Sequence, residues 1–377
     1  MSTSKIEPEI LGERLRVARS GANLTQEAAA SRVGLSRSTL VAIEKGQRRV
    51  RPEELVCLAD AYSTSAGKLL AADAVHVDLS AKFRRLDNEL ETPSVTVAVQ
   101  LLSKLATGAV ELERALGAEL RADYPPPLRI ASSGYLQQAE DAAVALRHRL
   151  GMGLGKAGDL FTTLELDMGV RVFSRGLSDG TISGLYAYDP VIGACILVNA
   201  NHPRRRRQQT LAHEAAHFIA DRSYADILDD RPTPLTVEER FARRFGYAFL
   251  MPSALVRQRF DALLAKQNGV DVKGLVLLAH QFDVTTEAMC RRLEELELLA
   301  QGAWALIKER GFNSALEREV LGDAEPATRP PLVAPRLAYL AARALADGVL
   351  SEGQICDLLV LDRSELGGVV GPFSEVG

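Results

Sequence analysis

His213-Glu214-Ala215-Ala216-His217 is the segment of this chain best equipped for chemistry. Residues four apart on a helix lie one above the other, so both imidazoles can reach one cation while Glu214 faces the open coordination position. A zinc ion held in this way lowers the pKa of its bound water towards neutrality. A carboxylate beside it can take the proton and pass it to a leaving amine. The spacing predicts metal-assisted hydrolysis, with His213 and His217 as zinc ligands and Glu214 as general base and acid. The competing reading is a chance match in which the two histidines only pack or meet solvent. Two features favour the metal. The chain has only six histidines, and acidic residues downstream can supply the third ligand that a catalytic zinc requires.

A second set of residues suits nucleic acid. Leu24 to Val33 reads as a short helix, Gly34-Leu35 as a turn, and Ser36 as the cap of a second helix, Arg37 to Lys45. In a helix-turn-helix the second helix lies in the major groove, which puts Arg37, Ser38 and Thr39 at base edges and Gln26 at the backbone. Arg48, Arg49 and Arg51 add positive charge suited to phosphates, which orients a duplex without reading its sequence. The alternative is a helical bundle used for dimerisation or for holding another protein.

The elements that must position these residues follow from hydrophobic periodicity. Ile10 to Leu70 reads as a bundle of about five helices, and Val95 to Leu120 as a helical connector ended by Tyr124-Pro125-Pro126-Pro127. Ala139 to Leu150 and Leu160 to Met168 are helical, whereas 169–173, 182–188 and 194–199 are β-prone. The metal-type helix runs from about Gln208 to Ala220, with Leu211, Ala215, Phe218 and Ile219 as its apolar stripe. Helices are predicted at 238–250, 253–264, 275–282 and 286–299. A Pro-rich linker, Pro326 to Pro335, precedes a helix-turn-helix-like tail, Arg336 to Leu366. The run Arg204 to Arg207 reads either as a solvated charge run or as a contact for nucleic acid or an acidic partner.

Bulk properties bound these readings. A chain of 377 residues with 47% hydrophobic content can bury more than one core. With 45 basic against 49 acidic residues, any nucleic-acid contact must come from a local patch. No apolar stretch long enough for a membrane span is apparent, and 1–9 lacks a signal-peptide core, so no membrane contact and a cytoplasmic location are expected. Cys57, Cys195, Cys290 and Cys356 are far apart and read as free, mostly buried thiols.

The segment Leu211 to Phe218, followed by Glu239-Arg-Phe-Ala242 and Phe245 to Pro252, resembles the ImmA/IrrE family of metallo-endopeptidases. The resemblance runs from about Gln138 to Leu299. It takes in a Gly-containing hairpin at Ser183-Gly184, the Ile196 to Asn199 run and an accessory helix-turn-helix from Leu278 to Leu293. It implies Glu239 as the third zinc ligand, with Glu238 the near competitor. Arg243 stands where that family usually carries Asn or Asp, so any side chain that orients a ligand histidine must come from elsewhere. Ile10 to Leu70 resembles the XRE (Cro/CI-like) family, including Arg19 paired with Glu44 and Glu44-Lys-Gly46 ending the recognition helix. That resemblance implies a homodimer on a double-stranded operator.

The fold class expected is α+β and mostly helical: an N-terminal five-helix XRE bundle, a zincin-like domain with a small β-sheet and the HExxH helix, and a C-terminal helical segment. The corresponding divisions are 1–75 for the DNA-binding domain, 76–127 for the connector, 128–270 for the peptidase domain, 271–325 for the accessory region and 326–377 for the linker and tail. The function expected is a DNA-binding regulator with a zinc endopeptidase, active or latent, that cuts a repressor or antitoxin under stress. The alternative is a non-enzymatic, ligand-sensing or antitoxin-like repressor whose zincin domain is degenerate.

Overall fold

Short polar side chains start many of the helices. Thr25, Ser36, Thr92, Asp159, Thr236, Asp271, Thr285 and Ser351 each accept a backbone N–H at a helix N-terminus, which satisfies a donor the helix itself leaves open. The computed structural model describes residues 6–22, 24–62, 64–70, 75, 77, 79–83, 92–222, 225–229, 236–266, 270–322 and 330–374. Residues 71–74 of the expected DNA-binding domain and parts of the expected connector (76, 78 and 84–91) and of the Pro-rich linker (326–329) lie outside them.

The chain divides into two compact units: Met1–Leu120 with Asp189–Ile192 and Pro335–Gly377, and Arg121–Tyr188 with Gly193–Ala334. The first begins with α1 (Pro8–Gly21), α2 (Gln26–Arg32), α3 (Arg37–Glu44), α4 (Pro52–Ala61) and α5 (Ala66–Leu70). Leu15, Leu40, Ile43, Leu58 and Leu69 are buried at their centre. Then follow α6 (Ser80–Phe83) and the long α7 (Pro93–Ala115). By length and composition α7 could cross a membrane, which corrects the expectation that no such stretch exists; 56% of its apolar window is nevertheless buried inside the protein.

The tail helices α17 (Pro335–Ala346), α18 (Glu352–Leu359) and α19 (Arg363–Ser374) belong to this same unit, where α17 and α18 pack on α7. Gly108 of α7 meets the backbone of Leu358 so closely that a Cβ there would collide with its carbonyl. Fully buried Glu113 is held by Arg336 at 2.8 Å. The apolar tail face is thus spent within its own unit.

The second unit contains α8 (Tyr135–Arg149), α9 (Leu160–Met168), β1 (Arg171–Arg175), β2 (Ile182–Asp189), β3 (Gly193–Asn199), α10 (Arg204–Ala220), β4 (Asp226–Asp229) and α11 (Val237–Leu250). It continues with α12 (Ser253–Lys266), α13 (Val272–Phe282), α14 (Thr286–Glu295), α15 (Ala303–Glu309) and α16 (Ser314–Leu321). The four strands make one mixed sheet in the order β1-β3-β2-β4, with β1 parallel to β3 and β4 antiparallel to β2. The expected mostly helical α+β class therefore holds.

Gly184, expected in a strand hairpin, lies inside β2, which neighbours β3 in the sheet; a Cβ there would stand 2.5 Å from Thr210 Cγ2 and 3.2 Å from Glu214 Oε1, so glycine is what lets the strand lie on α10. One detail departs from the sequence reading. The four-arginine run is neither a solvated stretch nor a free patch. Arg204 pairs with Asp283, Arg205 meets Glu317 and His280, Arg206 donates to Ser183 at 3.0 Å, and Arg207 donates to the His202 carbonyl. These partners offset the cost of gathering cations at a helix N-terminus, whose dipole disfavours them.

Candidate metal centre and DNA-reading surface

Helix α10 is buried continuously from Thr210 to Ile219, so its two histidines sit in the interior. Helix α11 packs against it and against α8, through an i, i+4 ladder of stacked rings, Phe241, Phe245 and Phe249. Thr236 caps α11 by accepting from the Glu239 amide at 3.2 Å. That cap places Glu239 in the first turn, where the helix dipole favours a carboxylate.

From there Glu239 reaches both histidines. Its Oε2 is 3.5 Å from His213 Nε2 and its Oε1 is 3.2 Å from His217 Nε2, while the two Nε2 atoms are 3.1 Å apart. Glu238, the competitor from sequence, is exposed. Arg243 is exposed as well, on the same helix.

A fourth group joins the cluster. Asp226, the first residue of β4, brings Oδ2 to 3.3 Å from His217 Nε2. One ligand atom from each of His213, His217, Asp226 and Glu239 lies within 4.8 Å of the others. Sequence reasoning missed Asp226. A four-residue strand is too short to show alternation, and the segment between α10 and α11 carries several acidic residues of equal standing.

The electrostatics are those of a site built for a cation. Burial lowers the pKa of His217, but Asp226, Glu239 and Glu214 more than offset it and raise it to about 9. Burial pushes Glu239 upward, yet the two histidines hold it below the usual carboxylate range. Glu214 is fully buried and pushed well above that range by burial and then by Asp226; neither of its carboxylate oxygens has a hydrogen-bond partner. Asp226 is raised by burial too. Glu214, Asp226 and Glu239 bring three carboxylates together around the two histidines, an arrangement that a divalent cation would relieve.

The spacing agrees with that reading. Tetrahedral ligands at about 2.1 Å from one ion stand roughly 3.4 Å apart; the contacts of His217 with His213, Asp226 and Glu239, and of His213 with Glu239, run from 3.1 to 3.5 Å, and the whole set of donors lies within 4.8 Å. The residues therefore fit a metal ion. His280 is exposed and meets Arg205 at 2.8 Å, and Tyr186 is buried with its ring edge-on to Phe218.

In the first unit, α2 and α3 form the helix-turn-helix, with Gly34 at positive φ in the turn. Ser36 Oγ accepts from the Thr39 amide at 3.1 Å and contacts the hydroxyls of Ser38 and Thr39. Arg37 and Ser38 are exposed and Thr39 is half-buried, all on the first turn of α3. Arg19 and Glu44 pair across the bundle, Nε to Oε1, at 2.5 Å. Gln26 donates to the same Glu44 at 2.8 Å, so its amide also braces the fold. Arg19, Thr25, Gln26, Glu27 and Arg37 line one shallow hollow.

The two arginines expected at phosphates differ. Arg49 is exposed, whereas Arg48 is bound through both terminal nitrogens to Glu54 at 3.0 and 2.8 Å. Much of the charge of Arg48 is thus already answered inside the protein.

Fold and site together describe a DNA-binding regulator with a possible protease domain. Residues 166–294 match the family model of the IrrE N-terminal-like domain, a peptidase family, and residues 10–72 match a helix-turn-helix domain model. The chain is a helix-turn-helix domain fused to an IrrE/ImmA-like peptidase domain. No curated protein matches it.

Proposed function

We propose that this protein is an operator-binding transcription regulator whose second unit is a zinc metallo-endopeptidase. The observation that carries the reading is the convergence of Glu239 on the Nε2 atoms of both motif histidines, with the buried carboxylate of Glu214 beside them. His213, His217 and Glu239 would hold the zinc, which when bound polarises the scissile carbonyl and lowers the pKa of a water molecule. Glu214 takes a proton from the attacking water and returns it to the leaving amine. Its raised affinity for a proton suits that shuttle.

The substrate in this reading is a protein, of the repressor or antitoxin kind, cut under stress to release transcription. The first unit supplies the address. Arg37, Ser38 and Thr39 read base edges, Arg49 and Gln26 engage the backbone, and Arg48 contributes less because Glu54 holds it. Operator binding as a homodimer in the cytoplasm belongs to the same proposal.

The deciding test is metal analysis beside cleavage of candidate repressors by wild type and Glu214→Gln. Zinc in both proteins with cleavage by wild type alone supports the peptidase. Zinc in both with cleavage by neither removes an active peptidase and leaves a latent one or a non-enzymatic, ligand-sensing repressor. For the first unit, salt-insensitive or absent duplex retention by the full chain removes the transcriptional reading.

A further inference from the structure

The position of Asp226 has consequences for access to the centre. Its Oδ2 approaches Nε2 of His217 at 3.3 Å, the same nitrogen that Glu239 and His213 approach. A carboxylate that only orients a ligand histidine takes the other ring nitrogen. Asp226 is therefore on the metal side of the imidazole, where a ligand stands. It is also nine-tenths buried, and its strand fixes it there: Asp226 pairs with Tyr186 of β2, Ile227 with Leu185 and Leu228 with Gly184.

That pairing matters because Gly184 lies directly on Glu214. Strand β4 is the outermost of the sheet and runs antiparallel along the stretch of β2 that covers the would-be base. An extended peptide presented for cleavage would bind by adding a strand to that edge. With β4 in place the edge is taken and Glu214 is wholly buried.

We propose that Asp226 is a fourth protein ligand of the metal, and that β4 holds the edge of β2 in place of a substrate peptide. The centre described is then closed: two histidines, Glu239 and Asp226 complete a four-coordinate set, and the position a reacting water needs is filled by Asp226. Entry of a peptide requires β4 to leave, which removes Asp226 and opens coordination and edge in one movement. This rests on the metal reading above and adds to it why the peptidase would be latent.

The test uses the full chain loaded with cobalt(II) or zinc. Cobalt-loaded wild type should show the strong visible absorption of a four-coordinate site, changed little by millimolar acetohydroxamate. Asp226→Ala should shift the spectrum, release metal to a chelator about tenfold faster or more, and bind acetohydroxamate at least tenfold more tightly. Asp226→Asn, nearly identical in shape, should move all three readouts in the same direction. Unchanged spectrum, release and hydroxamate binding in both variants would overturn the proposal. So would a wild-type cobalt site that takes acetohydroxamate readily, a measurement that needs no variant. Failure of the underlying reading looks different: wild type binds no metal, or His213→Ala binds it as wild type does, and this overturns both.

Discussion

The metal centre and the DNA-reading surface are built by opposite means. The proposed reading face is local: Arg37, Ser38 and Thr39 are consecutive on one helix turn, the first two exposed and the third half-buried, and organised by the single hydroxyl of Ser36. The candidate metal centre is assembled from a helix, a second helix and a strand, buried except for a half-buried Glu239, with its groups 26 residues apart at the extremes, His213 to Glu239. Exposed groups waiting for a large polyanion can remain solvated until it arrives. Buried carboxylates cannot, so a bound cation would stabilise the second region in a way the first does not require.

The comparison can be broken most forcefully at the metal centre. Glu214→Gln should lower peptide cleavage by about 10²- to 10⁴-fold while metal content, read by elemental analysis, stays as in wild type. His217→Ala should lose the metal itself; retention at wild-type stoichiometry would remove the histidine from the ligand set.

Acid–base behaviour sharpens the contrast. In metal-free protein the His217 pKa is raised to about 9 from an ordinary value near 6.5. A raised folded pKa contributes stability that is complete below the unfolded value and is lost as pH rises through the folded one. Glu214 and Asp226, both raised, act in the same direction. Thermal melts of chelator-treated protein should therefore fall between about pH 6.5 and pH 9, and added zinc should reverse the loss. A melt that rises over that range would contradict the arrangement.

At the DNA surface the effects are smaller. Arg37→Ala should cost about 1–3 kcal/mol of discrimination at one base position, measured against a panel of operator variants. Arg49→Ala should weaken all duplexes alike and lower the salt slope by about 1. Arg48→Ala should change that slope less than Arg49→Ala does, because Glu54 already holds its charge. An equal change would mean that DNA displaces Glu54. Smallest is Ser36→Ala, expected to lower stability of the first unit by about 1 kcal/mol through loss of a helix cap.

What was legible in the chain is what depends on neighbours in sequence. The i, i+4 histidines, the capped turn before Arg37 and most of the helices announce themselves because a helix brings close only residues three or four apart. The strands at 171–175, 182–189 and 193–199 were readable as β-prone runs at 169–173, 182–188 and 194–199, the first from its alternation and the other two from the break at Asp189-Pro190 between them. Helices α15 and α16 were missed, each being only seven or eight residues long.

The amino-acid sequence by itself determined a helix-turn-helix fused to an H-E-x-x-H helix, with the residue types for base reading and metal-assisted hydrolysis. Tertiary structure alone decided which acid meets the histidines. Glu239 and Glu238 are indistinguishable as residue types, and only the rotation of α11 against α10 turns one inward and leaves the other in solvent. It also decided that Arg48 answers Glu54, that the arginine run is consumed by Asp283, Glu317, Ser183 and a backbone carbonyl, and that Asp226 enters the metal cluster. These outcomes share one physical reason. A charge is drawn to whichever opposite charge or polar group the packing of apolar faces delivers to it, and strand pairing and helix crossing set that distance across tens of residues.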